Sequence, residues 1–503
     1  MSPVSWLLST DGPSSLLFTD PTFLLRFLPL SLAAFFLALA VTPRSWRVSG
    51  RRFTFANLVL LTSGLWFLLV GAGVYAPWLV GLVVGNYVAG LSIDRLRQRA
   101  EATGASTPLP EAMLTLALTA NLVMLLVSKY ALALPEPVGA TGFAMPQLLA
   151  PLGMLVVVCQ ATSYVVDVFR GEFPAQRSPI RAGVYMLCFP LLCAGPLVRY
   201  GELGRQLADR RVTLAGFSYG VRRWLVGYCK VALFARILGE PVDLMFGLGA
   251  SELGVGTAWL GAVFFTLQIY LDLSGYADMA IGFGRMYGFR VGEHFRWPYG
   301  ADSLTEFWRR WQVTLGDWCA AYLRVSLDPE SERSRWLDVR SVLLLFLALA
   351  LWHGPGWTVA LWAGLHGLLV VVERHWLSAW LTRLPVSVRR VYLLLTLAVL
   401  WVLFRAPSLD GAGIVLRAML GLGAAGKPIA FELELFEWVA IALAALSTVP
   451  VWPSFSRWLV AVDALTTSTI ILLSASFLYL WRSLVRGLWF ATGRSERHDE
   501  PEK

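Results

Sequence analysis

LWHGPGWTVALWAGLHGLLVV, residues 351–371, holds two of the five histidines in a chain of 503 residues. Both lie in sequence apolar enough for the interior of a lipid bilayer, which about 20 such residues cross as a helix. An ionisable side chain there costs on the order of 2.5–3.5 kcal/mol, so it faces a partner or a wet cavity. His353 precedes Gly354, Pro355 and Gly356, a sequence that ends a helix and lets backbone or ligand come close. The plain alternative is a histidine that only hydrogen-bonds a neighbouring span. His366 follows thirteen residues later, about 14 Å along a helix over Trp357–Val372. It is expected to serve helix packing rather than the same reacting centre.

Composition extends this reading to the whole chain. It is 57% hydrophobic with 15% charged residues and a mean hydropathy of +0.62, whereas soluble domains carry about 25% charge. The expected fold is all-α: a polytopic membrane protein of roughly eleven to thirteen membrane segments by the length criterion, including re-entrant and interfacial helices around a central funnel. Residues 1–490 read as one transmembrane domain and 491–503 as a charged tail. The formal charge of +9 is better explained by membrane orientation than by nucleic acid, since no basic tract with interleaved aromatics stands outside the apolar framework. Cys159, Cys188, Cys193, Cys229 and Cys319 lack CxxC spacing and read as core residues, with no metal site. The first twenty residues carry no Lys or Arg, so no removable signal peptide is expected.

In chain order, spans are expected at 23–41, 57–75, 77–93, 113–129 and 148–166. Arg44, Arg47, Arg51 and Arg52, then Arg95, Arg97 and Arg99, fall in loops on one side, which the positive-inside rule places in the cytoplasm with the N-terminus outside. The loop 130–145 is then external. Residues 183–198 are flanked by arginines at both ends and contain Pro190, Gly195 and Pro196, so they read as re-entrant around a cavity open to the cytoplasm. Residues 219–234, with Arg222, Arg223 and Lys230, are expected as an interfacial amphipathic helix. Residues 258–286 carry Gln268, Asp272, Ser274, Tyr276 and Asp278; two carboxylates there do not face lipid. Their expected partners are Arg285, Arg290, Arg296, Arg309 and Arg310. The stretch 306–327 reads as a half-inserted or interfacial helix before a polar loop, 328–340. Further segments are expected at 342–352, 357–372, 391–404, 438–451 and 470–480.

No GxxxxGK[ST], CxxC or HExxH motif is present, which removes the strongest signs of NTPase, redox and metalloprotease chemistry. Acyl transfer asks for less: a neutral imidazole that takes a proton from an attacking hydroxyl and a thioester held beside it. Arginines near the mouth suit an anionic donor.

Several stretches together resemble the membrane-bound O-acyltransferase (MBOAT) family, in its bacterial branch of alginate O-acetyltransferase membrane subunits and D-alanyl teichoic-acid transferases. They are FLLRFLPL (23–30), SKY (128–130), PLGM (151–154), SYVVDVFRGE (163–172), FPLLCAGPLVR (189–199), QIYLDLSGYADMAIGFGRMYGF (268–289), PYGADSLTEFWRRWQVTL (298–315), LWHG (351–354), LWAGLHG (361–367) and WVLFRA (401–406). The resemblance covers most of the chain. It implies a ring of spans around a funnel, His353 as the family histidine, and transfer from a cytoplasmic donor such as acetyl-CoA to an acceptor outside, with no tightly bound cofactor. It also implies periplasmic or extracellular SGNH-type acyltransferase partners, a polysaccharide acceptor and a place in the bacterial inner membrane. Trp308, Arg309, Arg310, Trp311 and Trp352, with Asp272, Ser274, Tyr276, Asp278 and His366, are the expected funnel residues. The family pattern places histidine where this chain has Gln312, which is expected to orient rather than carry a proton. The family's Gly-Gly-containing basic loop is replaced by AYLRVSLDPESER (321–333). Two other classes remain open: a solute transporter, which would show paired repeats that are not found, and a catalytically silent scaffold of an export complex, which Gln312 favours.

Overall fold

The computed structural model describes residues 18–20, 22–43, 45–46, 52–104, 107–130, 153–192, 195–325, 327, 334–423 and 435–448. Most of loop 130–145, residues 148–152, 328–333, 449–451 and 470–480, the tail 491–503 and Cys193 lie outside them. The described residues contain no strand. The first four spans, α1 (Phe23–Val41), α2 (Thr54–Ala72), α3 (Ala76–Thr103) and α4 (Leu109–Tyr130), are apolar all round through their membrane-length stretches, as helices solvated by lipid are, and the charges of α3 gather in its last turns. Then α5 (Met154–Arg170) is buried on most of its surface. Together with α11 (Val255–Met286), α14 (Arg335–His353) and α16 (Val386–Arg405), α1 to α4 make seven helices, among the described residues, long and apolar enough to cross a membrane.

The expected re-entrant stretch is broken into α6 (Pro179–Met186) and α7 (Phe189–Leu192). Tyr185 donates to the Val198 carbonyl (3.1 Å), which closes the segment on itself. Its side chains between Ala182 and Leu192 are buried in protein, the condition under which broken backbone is tolerated at membrane depth. A short helix, α8 (Tyr200–Ala208), leads out of it.

The structure corrects the interfacial reading of 219–234. Here α9 (Leu214–Cys229) continues through a π-helical segment, Lys230–Ala235, into α10 (Arg236–Gly247). This rod packs antiparallel along α11. Glycines spaced by seven make the approach possible: a Cβ on Gly275 would sit 2.8 Å from the Gly227 carbonyl oxygen, and one on Gly282 2.6 Å from that of Gly220. Small residues drive such contacts in lipid, where apolar packing alone gives no preference for protein over solvent. Two of the charges that suggested an interface, Arg223 and Lys230, face α11 instead.

After α11 the chain forms two short helices, α12 (Leu304–Arg310) and α13 (Val313–Tyr322). The break falls at Gln312, whose φ of 47° and ψ of 49° lie in the left-handed region, uncommon for a non-glycine residue. Trp308 and Trp311 are buried, so this pair is inserted into the protein rather than lying on its surface. α13 docks on α5: Trp318 donates to Ser163 Oγ (2.8 Å) and Tyr322 to Asp167 Oδ1 (2.8 Å). α14 runs to His353, α15 (Trp357–Val372) returns, α16 crosses again, and α17 (Leu409–Met419) and α18 (Leu435–Ser447) follow.

One face of the bundle gathers arginine-rich ends. Arg97 donates to the Val168 carbonyl (3.0 Å) and Arg170 to that of Ala321 (2.9 Å). The ends of α4 and α14 meet at the other face, where the Tyr130 hydroxyl donates to the Leu351 carbonyl (3.1 Å). Exposed tryptophans mark both levels, Trp336, Trp376 and Trp380 toward the arginines and Trp78 and Trp357 opposite, in the manner of interfacial aromatic belts.

Candidate active site

His353 is the last residue of α14, and Gly354 stops the helix with φ 105° and ψ −176°, a conformation open essentially to glycine alone. The partly buried ring stands edge-on to Trp362 (5.5 Å between centroids) and Phe404 (5.1 Å). Trp362 also touches His366 (5.0 Å) and Trp401 (5.7 Å), and Trp401 meets Trp311 (5.4 Å). The route from Gln312 to His353 therefore runs through a continuous set of indoles. Trp352 is partly buried beside the same core.

His366 is fully buried between Trp308 (5.2 Å), Phe346 (6.1 Å) and Trp362. Its Nδ1 lies 2.9 Å from the Trp362 carbonyl. A carbonyl only accepts, so Nδ1 carries the proton.

Of the two carboxylates on α11, Asp278 meets Arg223 (Nε–Oδ1 2.8 Å) and Lys230 (Nζ–Oδ2 2.7 Å). Arg223 also reaches Glu293 (3.0 Å). The arginines expected from later in the chain are not its partners; two cations on the preceding rod are. Lys230 also lies 3.4 Å from Ser274 Oγ. Asp272 and Tyr276 are buried on the same helix, and no ion pair holds Asp272 among the described residues. Arg309 and Arg310 bind Glu306 (3.1 and 2.8 Å) at the arginine face. Arg390, beside them, stands about 20 Å along α16 from the Phe404 that touches His353, so these two arginines do not join the His353 cluster.

Three features lay outside the sequence-based set. Segments 294–296 and 310–313 clasp each other, with Arg296 N–H donating to the Arg310 carbonyl (3.0 Å) and Val313 N–H to that of His294 (2.8 Å). Thr314 Oγ1 accepts from Leu197 N–H (2.9 Å) and lies 2.7 Å from His294 Nδ1. Burial pushes this ring's pKa down to about 3, so it stays neutral. Finally, buried Glu373, just beyond α15, accepts from Leu304 N–H (2.7 Å), Thr305 N–H (2.9 Å) and the Thr305 hydroxyl (2.8 Å). It caps α12 where free N–H groups and the helix dipole favour a carboxylate.

That cap fixes α12, and with it Trp308, relative to α15. Glu373→Ala strands the buried Leu304 N–H, at a cost of about 1–3 kcal/mol, and the half-buried Thr305 N–H, and is expected to lower the thermal unfolding temperature. Glu373→Gln, which keeps one acceptor oxygen, should fall between. Equal melting of all three proteins would refute the capping role.

The arrangement is a multi-pass membrane protein with an imidazole at a glycine-broken helix end, backed by indoles that link it to an inserted helix pair. The pattern of the MBOAT, membrane-bound O-acyltransferase, family matches residues 141–413, and the chain belongs to that family. It is 35% identical over 419 residues to a probable alginate O-acetylase of Azotobacter vinelandii, covering 81% of this chain and 79% of that one. A peptidoglycan O-acetyltransferase of Helicobacter pylori is 28% identical, covering 81% and 80%. A teichoic acid D-alanyltransferase of Bacillus subtilis is 22% identical over 220 residues, 41% of this chain and 54% of that one. The protein is thus a membrane acyltransferase.

Proposed function

We propose that the protein moves an acetyl group from a thioester donor on the arginine face, acetyl-CoA by this reading, for O-acetylation of an exported polysaccharide. The arginine face is then cytoplasmic, the N-terminus lies outside, and the bilayer is the bacterial inner membrane. His353 acts as the base: it takes the proton of an acceptor hydroxyl as oxygen attacks the carbonyl carbon. The C–S bond breaks as the C–O bond forms, and the imidazolium returns its proton to the departing thiolate. Gln312, fixed in left-handed backbone at the α12–α13 break, serves as an orienting amide. Periplasmic SGNH-type acyltransferases complete delivery to the glycan.

The observation that carries this reading is His353 itself, a partly exposed imidazole held at a glycine stop and walled by aromatic rings, in a chain one-third identical to an alginate O-acetylase. Deleting the gene in its host is expected to remove base-labile acetate from the exported polysaccharide, and the intact chain should restore it. Membrane vesicles supplied with acetyl-labelled coenzyme A should label the polymer. Unchanged acetate content in the deletion strain would sink the proposal.

A further inference from the structure

At the arginine face a cavity of about 730 Å³ is lined by Arg296, Trp297, Arg309, Arg310, Arg390 and Leu394, with one acid, Glu306. Four guanidinium groups stand against one carboxylate, a net +3. Glu306 is shared by Arg309 and Arg310, and no ion pair among the described residues holds Arg296 or Arg390. Such a concentration of bidentate donors suits phosphate.

What lies beside the arginines separates two sources of phosphate. Leu394 is 40% exposed, and its neighbours Val391 and Leu395 on α16 are 55% and 49% exposed. In a spanning helix these side chains face lipid, so the cavity opens sideways onto the bilayer and continues into an apolar track. Trp297, 38% exposed and held at φ 47°, sits at its rim, where an amphipathic indole belongs at the headgroup level. A soluble nucleotide would fill the charged part and leave the track bare. A molecule with a phosphate head and acyl chains fills both, and basic pockets between spans on this side of a membrane are known to take anionic headgroups.

We propose that this cavity binds the headgroup phosphate of an anionic phospholipid from the arginine-face leaflet, its chains lying along Val391, Leu394 and Leu395. The lipid braces α12 against α16, bridging Arg309 and Arg310 to Arg390. This proposal does not depend on the acyl donor or on the acceptor.

The test is native mass spectrometry of the full chain in detergent, titrated with phosphatidylglycerol or with phosphatidylcholine of the same chains. The wild type should hold phosphatidylglycerol at least tenfold more tightly. Arg296→Gln/Arg390→Gln should bring it to the phosphatidylcholine level, and Arg390→Gln alone, at an exposed position, should give a several-fold loss even if the double variant does not fold. Equal binding of the two lipids by the wild type, or an undiminished preference in Arg390→Gln, would overturn the proposal. So would displacement of phosphatidylglycerol by coenzyme A, which would give the cavity to a soluble phosphate ligand.

Discussion

His353→Ala is expected to cut acetyl transfer by roughly 10²–10⁴-fold, the usual worth of a positioned general base, with little change in thermal stability. The separation of the two effects follows from the site. His353 is partly exposed, at a helix end whose geometry Gly354 sets, so losing the ring removes edge contacts with Trp362 and Phe404 but leaves the glycine stop that shapes the backbone there. His366→Ala should behave in the opposite way, because that ring is fully buried among four aromatic side chains and its removal leaves a cavity at the price of several kcal/mol. Acetate incorporation and unfolding temperature, measured on both variants, check the pair. Full activity in His353→Ala would end its assignment as the base. In the same assay Gln312→His is expected to keep or raise activity, since an imidazole also donates and accepts hydrogen bonds; loss would mean that the pocket has been rebuilt around the amide.

The spans and the stop at His353 were legible because both are local. A long apolar run names a membrane helix, and Gly-Pro-Gly ends one. That 183–198 is not one straight span was also readable, from Pro190, Gly195 and Pro196 within it. What failed was the assignment of charge. A hydropathy window over 219–234 registers Arg223 and Lys230 and places the helix at the interface, yet Asp278 on α11 accepts both. Averaging along one helix cannot register a partner on another. The spacing did hold the answer: Gly220 with Gly227, Arg223 with Lys230, and Gly275 with Gly282 each repeat at seven residues, as helices packed along a shared seam do. Glu373 was invisible for a different reason, since a cap supplied 69 residues away from Leu304 leaves no trace in the helix it caps. The left-handed backbone at Gln312 likewise has no local signature in its side chain.

Asp278→Ala is expected to destabilise the protein by about 3–5 kcal/mol, the cost of breaking a buried ion pair from one side. Asp278 is 6% exposed, and its loss leaves Lys230 with a 3.4 Å contact to Ser274 and the face of the Tyr270 ring 5.8 Å away, but no anion. Arg223 keeps Glu293, so Lys230 is the cation stranded in low dielectric. It follows that Asp278→Ala/Lys230→Met should be more stable than Asp278→Ala alone, because the second change removes the orphan charge, and the double-mutant cycle should show strong coupling. Thermal unfolding in detergent measures both. Simple additivity would mean that the two groups act independently and that the observed pair contributes nothing. The effect should stay with stability: Arg223 still ties Glu293 to α9 in Asp278→Ala, and the next residue, His294, begins the clasp that holds the Gln312 turn. Acetyl transfer is therefore expected to fall with Asp278→Ala only as far as the lost folded fraction explains, and to recover in the double variant as stability does.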